Sequence, residues 1–309
     1  MSVIEQAAKR LEELRRAGIE IPNGPEQNVS GGRAHNAGEA AVSLATPRAS
    51  EAIAAVGASG FSKVPSSAPP SVQLDLVKLA RDGFVTPDMP RSRIADEFRI
   101  VKRPLIANAS GKRAVPIKNG NLIMMTSAVP GEGKTFSAVN LAMSIAMELD
   151  QTVLLVDADV ARPSLPRIFG LPPGKGLLDA LQSKSFDLSQ ALIRTNVEKL
   201  TLLTSGTPHA HATELLASDA MARLLDEMAI RYPERIVIFD SPPLLVTTES
   251  RVLATHMGQI VFVVQAESTL QSDVKRALAA IEACPVKMIL LNQARTAAQG
   301  AYGYGYSYS

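Results

Sequence analysis

From residue 121 onward, short apolar runs alternate with stretches whose apolar residues recur every three or four positions. The runs at 122–125, 153–156, 200–203, 235–239, 260–264 and 288–291 predict strands, and their unbroken apolar character predicts burial on both faces. Residues 136–149, 214–232 and 273–283 have helical spacing; in the second, Leu215, Leu216, Met221, Leu224, Leu225 and Met228 face inward. Repeated strand–helix units of this kind predict an α/β fold: a doubly wound, mostly parallel sheet with helices on both faces.

Upstream the pattern is sparser. Residues 2–18 predict an amphipathic helix with Ile4, Ala7, Ala8, Leu11 and Leu14 on one face, suited to docking on a partner or membrane surface, or to packing on its own domain. Residues 21–71 are rich in Ala, Ser, Gly, Pro and Asn and bury too little to offset ordering entropy, so they read as a flexible linker. Val72, Leu76, Leu79 and Ala80 predict a short helix, and residues 84–87 an extended link. Residues 92–103 read as a helix with Ile94, Phe98 and Val101 on one face, ended by Pro104. Asp96, Arg99 and Lys102 follow at steps of three, either as a solvated face of i,i+3 pairs or as a subunit-contact ridge. The organisation is an N-terminal helix (1–20), a linker (21–71), one α/β domain (72–297) and a tyrosine-rich tail (298–309).

Composition bounds the function. A net charge of +2 over 309 residues argues for no nucleic-acid partner. One cysteine, Cys284, leaves no internal disulfide framework and suits a reducing compartment. No apolar run approaches the ~20 residues of a membrane span, and the charged start has no signal-peptide core. The expectation is a cytoplasmic protein whose membrane link, if any, runs through a partner.

The chemistry gathers after the strands. Ala128-Val129-Pro130-Gly131-Glu132-Gly133-Lys134-Thr135 lies between the strand at 122–125 and the helix from 136, the context of a phosphate-binding loop. Backbone N–H groups of the turn and the helix N-terminus would face an anion together. Lys134 would reach the β- and γ-phosphates, and Thr135 would ligate Mg²⁺. Ala128 replaces the first glycine, which requires a negative φ there. Asp157 and Asp159 follow one strand and Asp240 another, on the loop's edge of a parallel sheet. Asp240 suits metal binding; Asp157 or Asp159 would orient metal or take a proton from an attacking hydroxyl. Arg162 is either a phosphate contact or a surface residue. His209 and His211, with no third ligand in sight, read as a solvated loop. Asn292 ends the last strand on the same edge, within reach of an adenine.

Four of the five tyrosines, Tyr302, Tyr304, Tyr306 and Tyr308, lie in the last ten residues among Gly, Ala and Ser. The segment carries no charged side chain and reads as a sticky tail, a late edge strand or a cluster of phosphate acceptors. These tyrosines lie ten to sixteen residues past Asn292, a reach of up to ~30–50 Å.

Over roughly residues 92–309 the chain resembles the bacterial tyrosine autokinases, the P-loop type that regulates exopolysaccharide synthesis. It is most similar to the stand-alone form beside exosortase-linked polysaccharide loci. The likeness rests on residues 128–135, on 153–159 with Arg162, on 236–243, on Glu214-Leu215-Leu216 and on the tyrosine tail. The resemblance implies ATP with Mg²⁺ and γ-phosphoryl transfer to tail tyrosines of a neighbouring subunit. It implies a ring-shaped homo-oligomer and a membrane-embedded polysaccharide chain-length (co-polymerase) partner that recruits the kinase to the inner membrane. It also implies nucleotide binding by residues 130–135, with Lys134, Asp157 and Asp159 catalytic and Thr135, Asp157 and Asp240 at the metal. The family's ring contact has Glu, Arg and Arg at steps of three; Asp96, Arg99 and Lys102 stand in those places, and Ala161 stands where arginine is usual. Partition and septum-positioning ATPases share the three motifs, but they carry a lysine where this chain has Val129 and favour basic, not tyrosine-rich, ends. A scaffold that only binds nucleotide is disfavoured by the intact Lys134, Thr135, Asp157, Asp159 and Asp240.

Overall fold

The computed structural model describes residues 70–111, 115–183, 185–231 and 234–295. The expected N-terminal helix, all but the last two residues of the expected linker, and the tyrosine tail lie outside them. The strands are β1 (Ser71–Val72), β2 (Leu122–Ser127), β3 (Thr152–Asp157), β4 (Ile193–Thr195), β5 (Leu200–Leu203), β6 (Arg235–Asp240), β7 (Gln259–Gln265) and β8 (Val286–Asn292). They form one sheet in the order β1-β4-β5-β3-β6-β2-β7-β8. The strands from β5 to β8 pair in parallel, and only β4 against β5 is antiparallel. The α/β expectation holds for the described residues, and the strands expected from apolar runs are all present.

Alternation along the strands splits the core in two. Ile123, Met125, Val153, Leu155, Ile236, Ile238, Val261 and Val263 pack on one face. Leu122, Met124, Leu154, Val156, Val237, Phe239, Ile260 and Phe262 pack on the other. Because successive side chains point to opposite faces, a strand covered by helices on both sides must be apolar throughout, and all six residues of β2 are buried. The first face carries helices α1 (Leu76–Arg81), α2 (Arg93–Ala109) and α3 (Lys134–Ala146). The short α4 (Leu165–Phe169) adds Leu165 and Phe169 there. The second face carries α5 (Leu177–Gln182), α6 (Ala212–Leu216), α7 (Asp219–Arg231), α8 (Glu249–Thr255) and α9 (Gln271–Ala280).

Helix α3 is buried along its length from Ser137 to Ala146. Its polar residues serve as joints: Asn140 Oδ1 accepts from Val85 N at 2.6 Å, and Asn140 Nδ2 donates to Phe136 O at 2.9 Å. Gln259, at the start of β7, donates to Leu105 O (3.0 Å) and Gly120 O (2.6 Å) and accepts from Asn108 Nδ2 (2.7 Å), tying the end of α2 to the sheet.

Three expectations about element bounds are corrected. Pro104 does not end its helix, which runs on to Ala109. The bond that proline forfeits is to the carbonyl of Ile100, a residue 75% exposed, so water can satisfy that oxygen. Residues 214–232 are not one helix: α6 and α7 are separated at Ala217-Ser218, where the Ser218 hydroxyl donates to Leu215 O (2.7 Å) and accepts from Met221 N (3.4 Å). A serine that can bond its own backbone competes with helix continuation. Val72 belongs to β1, paired with β4, and α1 starts only after Asp75, whose carboxylate accepts from Lys78 N.

Lys102 does not join Asp96 and Arg99 in an outward ridge. Each step of three on an α-helix falls about 60° short of a full turn, so Lys102 lies about 120° from Asp96. It falls in line with the buried Ala95, Phe98, Leu105 and Asn108. Its ammonium donates to Ser144 O at 2.5 Å and pairs with the Glu148 carboxylate at 2.7 Å. Ser144 O is one of the last four carbonyls of α3, which have no helical partner, and a cation there also suits the helix dipole. Arg99 and Asp96 remain outside as an exposed pair at 2.5 Å, with Arg99 also donating to Pro90 O at 2.7 Å. Lys102→Met keeps the buried stem and loses the charged cap, so it should cost roughly 1–3 kcal/mol in urea unfolding. Glu148→Gln, at a half-exposed site, should cost under about 1 kcal/mol. Equal stability of Lys102→Met and wild type would show that the cap contributes nothing.

Candidate active site

The phosphate-loop sequence joins β2 to α3 as a tight turn. Gly131 and Gly133 have φ of 90° and 88°, the left-handed conformation that side chains resist. Ala128 is fully buried and is not among the described residues with positive φ, so the alanine fits the strand end without strain. Helix α3 begins at Lys134 with Gly133 as its N-cap, two residues earlier than the apolar periodicity suggests. Gly133 lies so close to Asn292 that a Cβ there would fall 2.0 Å from Nδ2. That amide donates to the loop carbonyl of Glu132 at 3.0 Å, so the structure brings Asn292 against the loop itself.

The parallel register delivers the carboxylates. Asp157 at the end of β3 is paired directly with Asp240 at the end of β6, and Asp240 with Met125 of β2. Ala158 N donates to Asp240 O at 2.8 Å, which extends the pairing past the strand ends. Asp159 forms an ion pair with Lys134 at 2.8 Å, both side chains being largely buried. Asp157 Oδ2 accepts from the backbone N–H groups of Ser164 and Leu165, each at 2.9 Å. Asp157 Oδ1 and both oxygens of Asp240 are buried and have no partner within hydrogen-bond geometry.

Those orphaned oxygens carry an electrostatic cost. Burial pushes the Asp157 carboxyl up to about 7, with the charge of Asp240 adding to the effect and the Leu165 and Ser164 amides opposing it. Burial pushes Asp240 up to about 6, against the pull of the Lys134 charge and the Thr135 hydroxyl. A hard divalent cation such as Mg²⁺ fits this donor set: uncompensated carboxylate oxygens beside a hydroxyl and a phosphate-binding turn. No group of three or more His, Cys, Asp or Glu among the described residues could hold a metal by itself. A cation here would therefore draw its remaining ligands from phosphate and water, as Mg²⁺ commonly does.

Other sequence candidates are placed as follows. Arg162 is exposed, and its backbone N–H donates to Asp159 O at 3.0 Å. His209 and His211 are exposed, with ring centroids 5.8 Å apart. Ser241 donates through its hydroxyl to Met125 O at 2.8 Å, and Leu244 N reaches Ser127 O at 2.9 Å, so the proline turn after β6 is laced to the root of the phosphate loop. Tyr302, Tyr304, Tyr306 and Tyr308 lie outside the described residues.

Two features are not visible in the sequence. The Glu132 side chain, 1% exposed, turns away from the loop's mouth: Oε2 accepts from Val129 N at 2.8 Å, and Oε1 accepts from the Thr269 hydroxyl. Thr269 follows β7, 137 residues from Glu132. Its hydroxyl also accepts from Gln265 N at 3.0 Å. Nothing in the local composition of 265–270 marks it.

The raised Asp240 carboxyl has a definite sign. Its native state holds a proton more tightly than the unfolded chain, so its contribution to the stability of the ligand-free protein is lost as pH rises from about 4 to about 6, by roughly 2–3 kcal/mol, and the raised Asp157 extends the loss to about pH 7. Asp240→Asn should therefore raise the ligand-free unfolding free energy at pH 7.5, with the gain vanishing near pH 4. A variant no more stable than wild type at pH 7.5 would overturn this reading.

Residues 120–288 match the family AAA_31, described as an AAA domain. The chain is 33% identical over 217 residues to the tyrosine-protein kinase YwqD of Bacillus subtilis, covering 70% of this chain and 87% of that protein. It is 29% identical over 222 residues to the putative tyrosine-protein kinase CapB of Staphylococcus aureus, covering 71% and 92%. The solved kinase domain of the Escherichia coli tyrosine kinase ETK superposes with a TM-score of 0.58 at 26% identity, over 72% of this chain and 86% of that domain. With the phosphate loop, the paired aspartates and this extent of likeness together, the chain belongs to the bacterial tyrosine-protein kinases of the P-loop type.

Proposed function

We propose that this chain transfers the γ-phosphoryl of ATP, with Mg²⁺, to Tyr302, Tyr304, Tyr306 and Tyr308 of a neighbouring copy, and that this cycle regulates exopolysaccharide synthesis and export. One observation carries the reading: Lys134 and Thr135, opening a helix directly after a left-handed glycine turn, share a sheet edge with the buried, unpartnered oxygens of Asp157 and Asp240. The loop N–H groups of residues 131–135 would bind the phosphates. Lys134, released from Asp159, would meet charge on the transferred group. Thr135, Asp240 and Asp157 would hold Mg²⁺, which when bound neutralises phosphate charge. The tyrosine oxygen attacks the γ-phosphorus in line, the bond to the ADP oxygen breaks, and the phenolic proton passes to a carboxylate. Asp157 or Asp159 would take it: Asp157 Oδ1 has no partner in the ligand-free site, and the release of Lys134 frees Asp159.

The tail follows in sequence from Asn292, whose amide touches the phosphate loop, which supports a root close to this chemistry. Asp96 and Arg99, exposed on α2, are the proposed contacts of a ring-shaped homo-oligomer; Lys102 is not among them. No helix of the described residues is long and apolar enough to cross a membrane. Recruitment to the inner membrane would run through a membrane-embedded polysaccharide co-polymerase partner. A partition-type ATPase switch is the weaker reading, for Val129 replaces its second lysine.

Incubation with labelled ATP and Mg²⁺ should place label on tyrosine in wild type, and none in Lys134→Met or in a chain ending at Gln299. Mixing those two variants should label the full-length Lys134→Met protein. ATP hydrolysis without protein label would sink the kinase reading. Each phosphotyrosine adds about −1.5 to −2 charges, so phosphorylated tails should repel and loosen the oligomer. Light scattering should show a lower mass after autophosphorylation, and an unchanged mass would refute the electrostatic release.

A further inference from the structure

The loop that follows β7 belongs to the phosphate site although it contributes no recognised motif. Thr269 N donates to Gln265 O at 3.1 Å, and Gln265 N donates to the Thr269 hydroxyl at 3.0 Å, which closes residues 265–269 into a turn. Thr269 in turn donates its hydroxyl proton to Glu132 Oε1 inside the phosphate loop. Ala266 N donates to Asn292 O at 2.9 Å, Gln265 Nε2 donates to Gln293 Oε1 at 2.8 Å, and Asn292 Nδ2 returns to Glu132 O at 3.0 Å. The bonds form a closed circuit through three segments far apart in sequence. Glu267 and Gln293 lie on it, with φ of 59° and 56°, two of the three non-glycine residues among the described ones with positive φ. Such conformations persist only where the surroundings enforce them.

We infer that Thr269 is a positioning residue for the kinase: through the buried Glu132 carboxylate it holds the phosphate loop in the conformation that presents its amides to a nucleotide. Glu132 then acts by side chain as a brace within the loop, and its carboxylate does not contact the nucleotide. Thr269 is the only hydroxyl bonded to that carboxylate among the described residues, and a methyl in its place would leave Oε1 buried without a donor. The inference rests on the site assigned above as a nucleotide site, but its first readout needs no nucleotide.

Three full-length proteins would be compared: wild type, Thr269→Val and Thr269→Ser. In ligand-free protein, hydrogen exchange at the Val129 amide, which donates to Glu132 Oε2, should quicken at least about tenfold in Thr269→Val, the loss of one hydrogen bond to a buried charge, and stay within about twofold in Thr269→Ser. Calorimetric titration with Mg·ADP should show roughly tenfold weaker binding for Thr269→Val, restored by Ser. In autophosphorylation, KM for ATP should rise more than kcat falls. Unchanged loop exchange in Thr269→Val, or failure of Ser to restore it, would overturn the inference. Absence of tyrosine label in wild type with the exchange result intact would instead overturn the kinase reading and leave the brace standing.

Discussion

Uncompensated negative charge at one edge of the sheet is the constraint around which this domain is built. Parallel pairing in register sets Asp157 beside Asp240, and helices on both faces remove the water that would otherwise solvate them. Burying carboxylates without partners is costly. The protein meets part of the cost with two amides on Asp157 and, at Asp240, with the charge of Lys134 and the Thr135 hydroxyl. What is left, three buried oxygens without donors, is the affinity the site holds in reserve for a cation. Stability of the empty fold and strength of metal binding are therefore opposed at the same atoms.

The loop opposite has the reverse character. Its own charged side chain, Glu132, is fully engaged and faces inward, so the mouth offers only backbone N–H groups and Lys134. A turn with two left-handed glycines has little intrinsic rigidity. Rigidity comes from outside: Ser241 and Leu244 at its root, Asn292 against Gly133, and Thr269 on Glu132. Pre-organised donors of this kind need not reorganise when charge develops.

Much of this is legible in the residue pattern, and the exceptions have physical reasons. Strands buried on both faces leave an apolar signature that survives any tertiary context, so β2, β3, β5, β6, β7 and β8 can be placed, and with them the edge on which the aspartates stand. The division of labour between Asp157 and Asp159 cannot be read, because it depends on which N–H groups and which ammonium each carboxylate meets. Lys102 misleads because a row at steps of three looks straight on paper but winds around a helix with 3.6 residues per turn. Pro104 misleads because a local rule takes no account of where the forfeited carbonyl points. Thr269 is invisible for a simpler reason: its partner is 137 residues away.

The buried Lys102 has a mechanical consequence. It fastens the middle of α2 to the far end of α3, the helix whose near end is the phosphate loop. Further along α2, Asn108 is fastened to the sheet through Gln259. Two helices pinned in this way behave as one strut, and the exposed Asp96–Arg99 pair is a fixed mark upon it. Any molecule that grips that mark is held at a set distance from the site of phosphate binding. For the ring contact proposed at that pair, the strut would convert docking at the surface into a defined offset from the chemistry.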